Sequence, residues 1–198
     1  MFRAVVVVAL IAIGGTAAAQ GLGGLEIGAR VGGYGFREHT ADGTEWHDCR
    51  MNGVGIFAQR PLRGPFFTEA GIDAYFADDT GGFGHDHSAG IDTGMDRVSG
   101  LFTAAAGARA FAGARVSPYA LLGLGLELTR VTMAGEEAGF ALPMAFFGFG
   151  ADLRFGRVSV GASFRINAMG HFAHDGPSHM EPEGELAAQG QFHIKASL

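Results

Sequence analysis

Two groups of side chains in this sequence could act as metal ligands, acids or bases. The first is a set of histidines among carboxylates. In His85-Asp86-His87 the two imidazoles are two residues apart. On an extended segment both project the same way and can share a divalent cation. His171, His174 and His179, with Asp175, offer further ligands from a second segment. Imidazole nitrogen with carboxylate oxygen suits zinc, copper or nickel. The plainer alternative is a solvated polar loop, and no tight ligand motif excludes it. The same histidines also titrate near neutrality, which allows a pH-sensing reading. His87-Ser88 and His179 have the residue types of a serine hydrolase. A nucleophile needs a base within hydrogen-bond reach, however, and neighbours on a strand point to opposite faces. The second group is ten ionisable residues on segments that alternate in polarity. These are Glu26, Glu69, Asp73, Glu127 and Asp152 with Arg30, Arg109, Arg154, Arg165 and Lys195.

The elements that must position these groups are strands, because successive strand side chains face opposite ways. The period-2 pattern predicts eight: about Gly24 to Phe36, Met51 to Arg60, Pro65 to Phe76, Arg97 to Ala110, Pro118 to Arg130, Leu142 to Phe155, Val158 to Ala168 and Glu185 to Leu198. The fifth sets Leu122, Leu124, Leu126 and Leu128 against Gly123, Gly125, Glu127 and Thr129. Long connections are expected at about 37–50, 77–96, 131–141 and 169–184, and short ones at about 61–64, 111–117 and 156–157. Four long loops at one end and three short turns at the other give an up-and-down barrel.

Ahead of the strands, Arg3, the apolar run Ala4 to Ile13 and the small residues Ala17-Ala18-Ala19 form a secretory signal pattern. Cleavage after Ala19 is expected, so domain 1–19 is a signal peptide and domain 20–198 the barrel. The mature chain then loses Arg3 and carries 13 basic and 20 acidic residues, a formal charge of −7 against −6 for the whole. Nucleic acid is therefore not an expected partner. A single cysteine, Cys49, excludes an internal disulfide framework and leaves a free thiol or a link to a partner.

Alternation does not say which face is inside, but the charge count does. Charged residues make up 17% of the chain, below the roughly 25% of soluble domains. The polar strand faces hold five acids and five bases among mainly Gly, Ala, Ser and Thr. A solvated surface would be dense in Lys and Glu. A narrow lumen needs small residues and balanced charge, since buried unpaired charge is costly. The polar face is thus expected inside and the apolar face against lipid. With its signal peptide, eight alternating strands and interior charges, the chain resembles the small outer-membrane barrels of the OmpA transmembrane-domain and OmpX kind over residues 24 to 198. Phe66, Phe67, Phe76, Phe111 and Phe155, near strand ends, are expected to take the place of a Tyr/Trp girdle.

The resemblance implies an all-β, eight-stranded antiparallel transmembrane barrel in the outer membrane of a Gram-negative cell. It also implies contact with lipid and lipopolysaccharide, and insertion by the barrel-insertion machinery. The remaining fifteen carboxylates and His39, His47, His85, His87, His171, His174 and His179 all fall in or beside the long loops, whereas Arg60, Arg63, Arg115 and Arg157 mark the short-turn end. The expected role is non-enzymatic, an interaction surface for an extracellular partner with no cofactor. Alternatives are a narrow pore in which pairs such as Glu127 and Arg154 exchange partners, a metal-capturing surface, a lipid A-modifying enzyme, and a soluble periplasmic lipocalin-like barrel.

Overall fold

The computed structural model describes residues 24–39, 46–77, 85–88, 91–92, 95–133, 135–170, 173–175 and 186–198. The segment 1–19 lies outside them. In chain order the strands are β1 (Glu26–His39), β2 (Trp46–Pro61), β3 (Phe66–Ala77), β4 (His85–Ser88), β5 (Ile91–Asp92), β6 (Met95–Arg109), β7 (Val116–Met133), β8 (Glu136–Phe155), β9 (Val158–Met169), β10 (Ala173–Asp175) and β11 (Leu186–Ser197). Eight of them are long and pair antiparallel in the order β1-β2-β3-β6-β7-β8-β9-β11. The ring closes because β1 also pairs with β11. The fold is a closed, eight-stranded, up-and-down barrel. No described helix is long and apolar enough to cross a membrane.

The register fixes the dimensions. Direct partners lead from Glu26 through Gln59, Glu69, Ala105, Gly123, Phe146, Asn167 and Ala187, and return to β1 at Phe36, ten residues beyond the start. Eight strands with a stagger of ten, at about 3.3 Å per residue and 4.8 Å between strands, require a tilt of about 41° and a radius of about 8 Å. A tube this narrow has room for side chains and little else.

The two faces have opposite chemistry. Ile27, Val54, Ile72, Leu122, Leu124, Phe149, Phe164 and Ile194 are exposed on the outside, while Arg30, Glu69, Asp73 and Arg165 are buried in the lumen. On β7 the outward row runs Val116, Pro118, Ala120, Leu122, Leu124, Leu126 and Leu128 before Arg130 ends it. That row rises about 30 Å along the axis at the tilt above, enough for the roughly 25 Å apolar band of an outer-membrane barrel. Beyond Arg130 the polarity inverts. Outward positions become Arg130 and Glu137, paired with each other, and the inward Val131, Ala138, Phe140 and Leu142 form a buried apolar cluster. The β7–β8 hairpin thus changes from a ribbon with a polar inner face to one with a polar outer face.

The strands run further than alternation alone suggests. Much of 37–50 and nearly all of 131–141 is strand, and β7 turns into β8 at Gly135, which has a left-handed backbone (φ 85°) that suits glycine. Inside 77–96, β4 adds to the edge of β2. Inside 169–184, β10 adds to β8.

Several inward glycines have a steric origin. On the inward face, large residues sit directly opposite glycines of the neighbouring strand: Phe57 opposite Gly28, Phe67 opposite Gly107, Phe146 opposite Gly123 and Tyr119 opposite Gly150. A methyl added at any of these glycines would collide with the facing ring. Each ring occupies the space a side chain would take at the facing glycine, which is how a lumen of about 8 Å radius holds aromatic side chains.

Candidate functional site in the lumen and at the rims

The lumen charges form two joined tiers. In the lower one, nearest the short turns, Arg109 Nη2 donates to Glu26 Oε2 (2.7 Å) and to Gln59 Oε1. Lys195 Nζ donates to Asp152 Oδ2 (2.6 Å) and to Gln59 Oε1 (2.6 Å), and lies 3.2 Å from Glu26. His193 Nε2 is 2.8 Å from Asp152 Oδ1. In the middle tier Arg30 grips Asp73 with two nitrogens (2.5 and 2.6 Å) and donates a third bond to Glu69 (2.9 Å). Arg165 Nη2 donates to the same Glu69 oxygen (2.5 Å). Gln59 joins the tiers, because its Nε2 donates to Glu69 Oε2 (2.7 Å) while its oxygen serves Arg109 and Lys195.

Above them hydroxyl and amide groups surround one carboxylate, and apolar side chains pack around it. Glu127 accepts from Tyr34 (2.6 Å) and Ser99 (2.7 Å), and Tyr75 accepts from Gln189 (2.6 Å) and Gln191 (3.0 Å). Met51, Ala77, Leu101, Met144, Phe146 and Ala187 pack around these groups. Aromatic rings complete the guanidinium sites. Arg30 lies 5.2 Å from the Phe57 centroid, Arg109 4.7 Å from Phe67 and Arg165 5.0 Å from Phe146. Each of these cations is held by a carboxylate at its edge and a ring face at its flank. Near Arg165, its Nε and Nη1, both polar atoms of Asn167 and Gln189 Oε1 are buried with no hydrogen-bond partner among the described residues. That spot is polar enough to hold ordered water.

Nine of the ten strand charges named from the sequence are buried in the lumen: Glu26, Arg30, Glu69, Asp73, Arg109, Glu127, Asp152, Arg165 and Lys195. Arg154 instead sits at the lower mouth, its side chain 37% exposed and 3.7 Å from Glu26. Glu127 and Arg154 therefore do not face each other; the β7–β8 register sets Glu127 opposite Leu142, well up the barrel from Arg154. Sequence reasoning missed Arg97, which is fully buried at the start of β6. The signal was its parity with Ser99 and Thr103 on the same face. Phe67 is also corrected. It is 1% exposed and points inward under Arg109, whereas Phe66, Phe76, Phe111 and Phe155 are exposed. The pleat decides this, since Phe66 and Phe67 are adjacent and only one can face out.

The histidine candidates separate. His85, Asp86 and His87 form β4, whose register sets His87 opposite Asp48 of β2 on one side and Asp92 of β5 on the other. His174 is on β10, opposite Phe140 of β8. β1, β11 and β9 stand between β2 and β8 in the ring, and no described pairing joins β4 to β10. His171 and His179 lie outside the described residues. Among the residues whose side chains are described, no cluster of three metal-ligating groups is present. The lumen does not fit a soluble ligand-carrying barrel, which needs an apolar cavity inside and polar residues outside.

No protein-family model matches the chain, and no curated protein sequence matches it. Solved structures do match in fold. Neisserial surface protein A superposes with a TM-score of 0.62 at 12% identity, covering 88% of this chain and 97% of that one. Ail, the attachment invasion locus protein of Yersinia pestis, superposes with a TM-score of 0.50 at 14% identity, covering 87% and 97%. These likenesses show that the fold is the closed eight-stranded antiparallel β-barrel of those two proteins, here with an apolar outer band and a polar lumen.

Proposed function

We propose that this chain is a non-enzymatic barrel of the outer membrane that presents an interaction surface at its long-hairpin end. The observation that carries the reading is the inverted polarity of a closed barrel, with lipid-compatible residues outside and paired charges inside. The lumen is occupied by its own side chains, so variable contact chemistry is left to the connecting segments, where acids and histidines concentrate. Lipid and lipopolysaccharide surround such a barrel, the insertion machinery delivers it, and an extracellular partner meets its loops. An epitope inserted after Asp79 tests the orientation. Labelling on intact cells is the expected result. Labelling only after permeabilisation would place that end in the periplasm and defeat the surface role.

A second reading, divalent-metal capture, has one observation in its favour: the register sets His87 between Asp48 and Asp92, with His85 two residues away on the same strand. Nickel or zinc titration of the folded protein is expected to show a site that weakens at least tenfold in H85A/H87A, since imidazoles dominate affinity for these ions. Identical isotherms would reject it.

A further inference from the structure

We propose that the short-turn rim of the barrel is a docking surface for anionic phospholipid headgroups. The inference rests on the membrane-barrel reading above.

The first observation is charge. Arg63, Arg115 and Arg157 are exposed in the three short turns, and Arg60 ends the outward row of β2. Among the described residues no exposed Asp or Glu side chain lies on this rim. Its two acids, Glu26 and Asp152, are turned into the lumen and held there by Arg109 and Lys195. A chain of net charge −6 thus shows a basic ring at one end.

The second observation is height. The Arg115 guanidinium lies 5.5 Å from the centroid of the Phe155 ring, and Phe155 is the last outward residue of β8. The cation therefore sits at the lower edge of the apolar band, the level at which lipid phosphates lie.

The third is Phe111. It is 75% exposed at a turn tip and adopts a left-handed backbone (φ 54°), rare for a bulky residue, while Ala114 N–H bonds its carbonyl at 2.9 Å. In water this arrangement costs conformational energy and leaves a ring wet. At a membrane interface the exposed ring is accommodated.

Guanidinium binds phosphate through paired N–H donors. These arginines are spread around a ring and interleaved with exposed phenylalanines instead of converging on one point. That layout fits a sheet of headgroups and not a single free phosphate.

Purified protein refolded into symmetric vesicles tests this, using phosphatidylcholine alone or with a third of phosphatidylglycerol. The readout is the folded fraction against urea, by gel mobility without boiling. Acidic loops at the other end affect wild type and variants alike, so the comparison isolates the rim. Relative to R63Q/R115Q/R157Q, wild type is expected to gain about fivefold in its folding equilibrium per arginine in the anionic vesicles at low salt, on the order of a hundredfold in total. The gain should fade as salt is raised. R63K/R115K/R157K should retain most of it, because the point charge remains. An equal response of wild type and the Gln variant to phosphatidylglycerol would overturn the rim proposal while leaving the barrel intact. Wild type that stays soluble with both vesicle types would overturn the membrane reading itself. If the triple variant fails to fold, three single Arg→Gln variants with flat responses would overturn the rim just as firmly.

Discussion

Glu69 is the residue on which the middle tier turns. It accepts from Arg30, Arg165 and Gln59 at once, in a space closed to bulk solvent. E69Q keeps the shape and removes the charge, leaving Arg165 without the carboxylate it donates to and Arg30 with Asp73 alone. The expected loss is about 3–5 kcal/mol, the usual cost of stranding a buried charge. R130Q breaks the exposed Arg130–Glu137 pair and should cost no more than about 0.5 kcal/mol. Urea unfolding in detergent micelles reads both, and comparable losses would mean the lumen is wetter than its packing implies. Glycine allows a second contrast. G123A drives a methyl into the Phe146 ring and should prevent or strongly slow formation of the compact, heat-modifiable species. G190A meets nothing within 4 Å and should fold as wild type. The identity of most interior charges was legible from alternation, but their partners were not. Pairing depends on a stagger that no single strand encodes, which is why Glu127 and Arg154 looked like a candidate pair and the glycine–ring oppositions went unseen.

At the scale of elements, the eight barrel strands were readable because membrane and lumen impose opposite chemistry on alternate residues over the whole apolar band. The reading failed where that condition lapses. Past Arg130 the outward face turns polar and the inner face apolar, with Val131 and Phe140 on the side that Glu127 and Asp152 occupy lower down. A pattern whose phase inverts mid-strand looks aperiodic, and 131–141 therefore looks like a loop. The same logic yields a test of which face meets lipid. Leu124 is 68% exposed near the middle of the outward row of β7. L124R should destabilise the protein in bilayers by about 2–4 kcal/mol, the cost of a cation at mid-membrane. T132R, four positions beyond Leu128 on the same face, should be close to neutral. Equal tolerance at both positions would mean that no apolar medium surrounds β7.

For the whole molecule, the stagger of ten residues over eight strands sets a radius of about 8 Å, and every tier within it is filled. Closure leaves no unpaired edge along the barrel wall, so the folded form should resist unheated SDS and shift in mobility on boiling. Filling has a separate consequence for permeation. The lower tier of Glu26, Arg109, Lys195 and Asp152, the middle tier of Arg30, Asp73, Glu69 and Arg165, and the upper group around Tyr34, Tyr75 and Glu127 are stacked along one axis. An ion crossing the barrel would have to breach all three. A single substitution such as R30A opens one tier and leaves two closed, so it should lower stability without creating a pore. Planar-bilayer recordings of wild type and R30A are therefore both expected to show no steady current. Sustained ohmic conductance of the wild type would overturn the plug. Conductance appearing in R30A alone would show that the middle tier is the only real barrier and that the other two already admit hydrated ions.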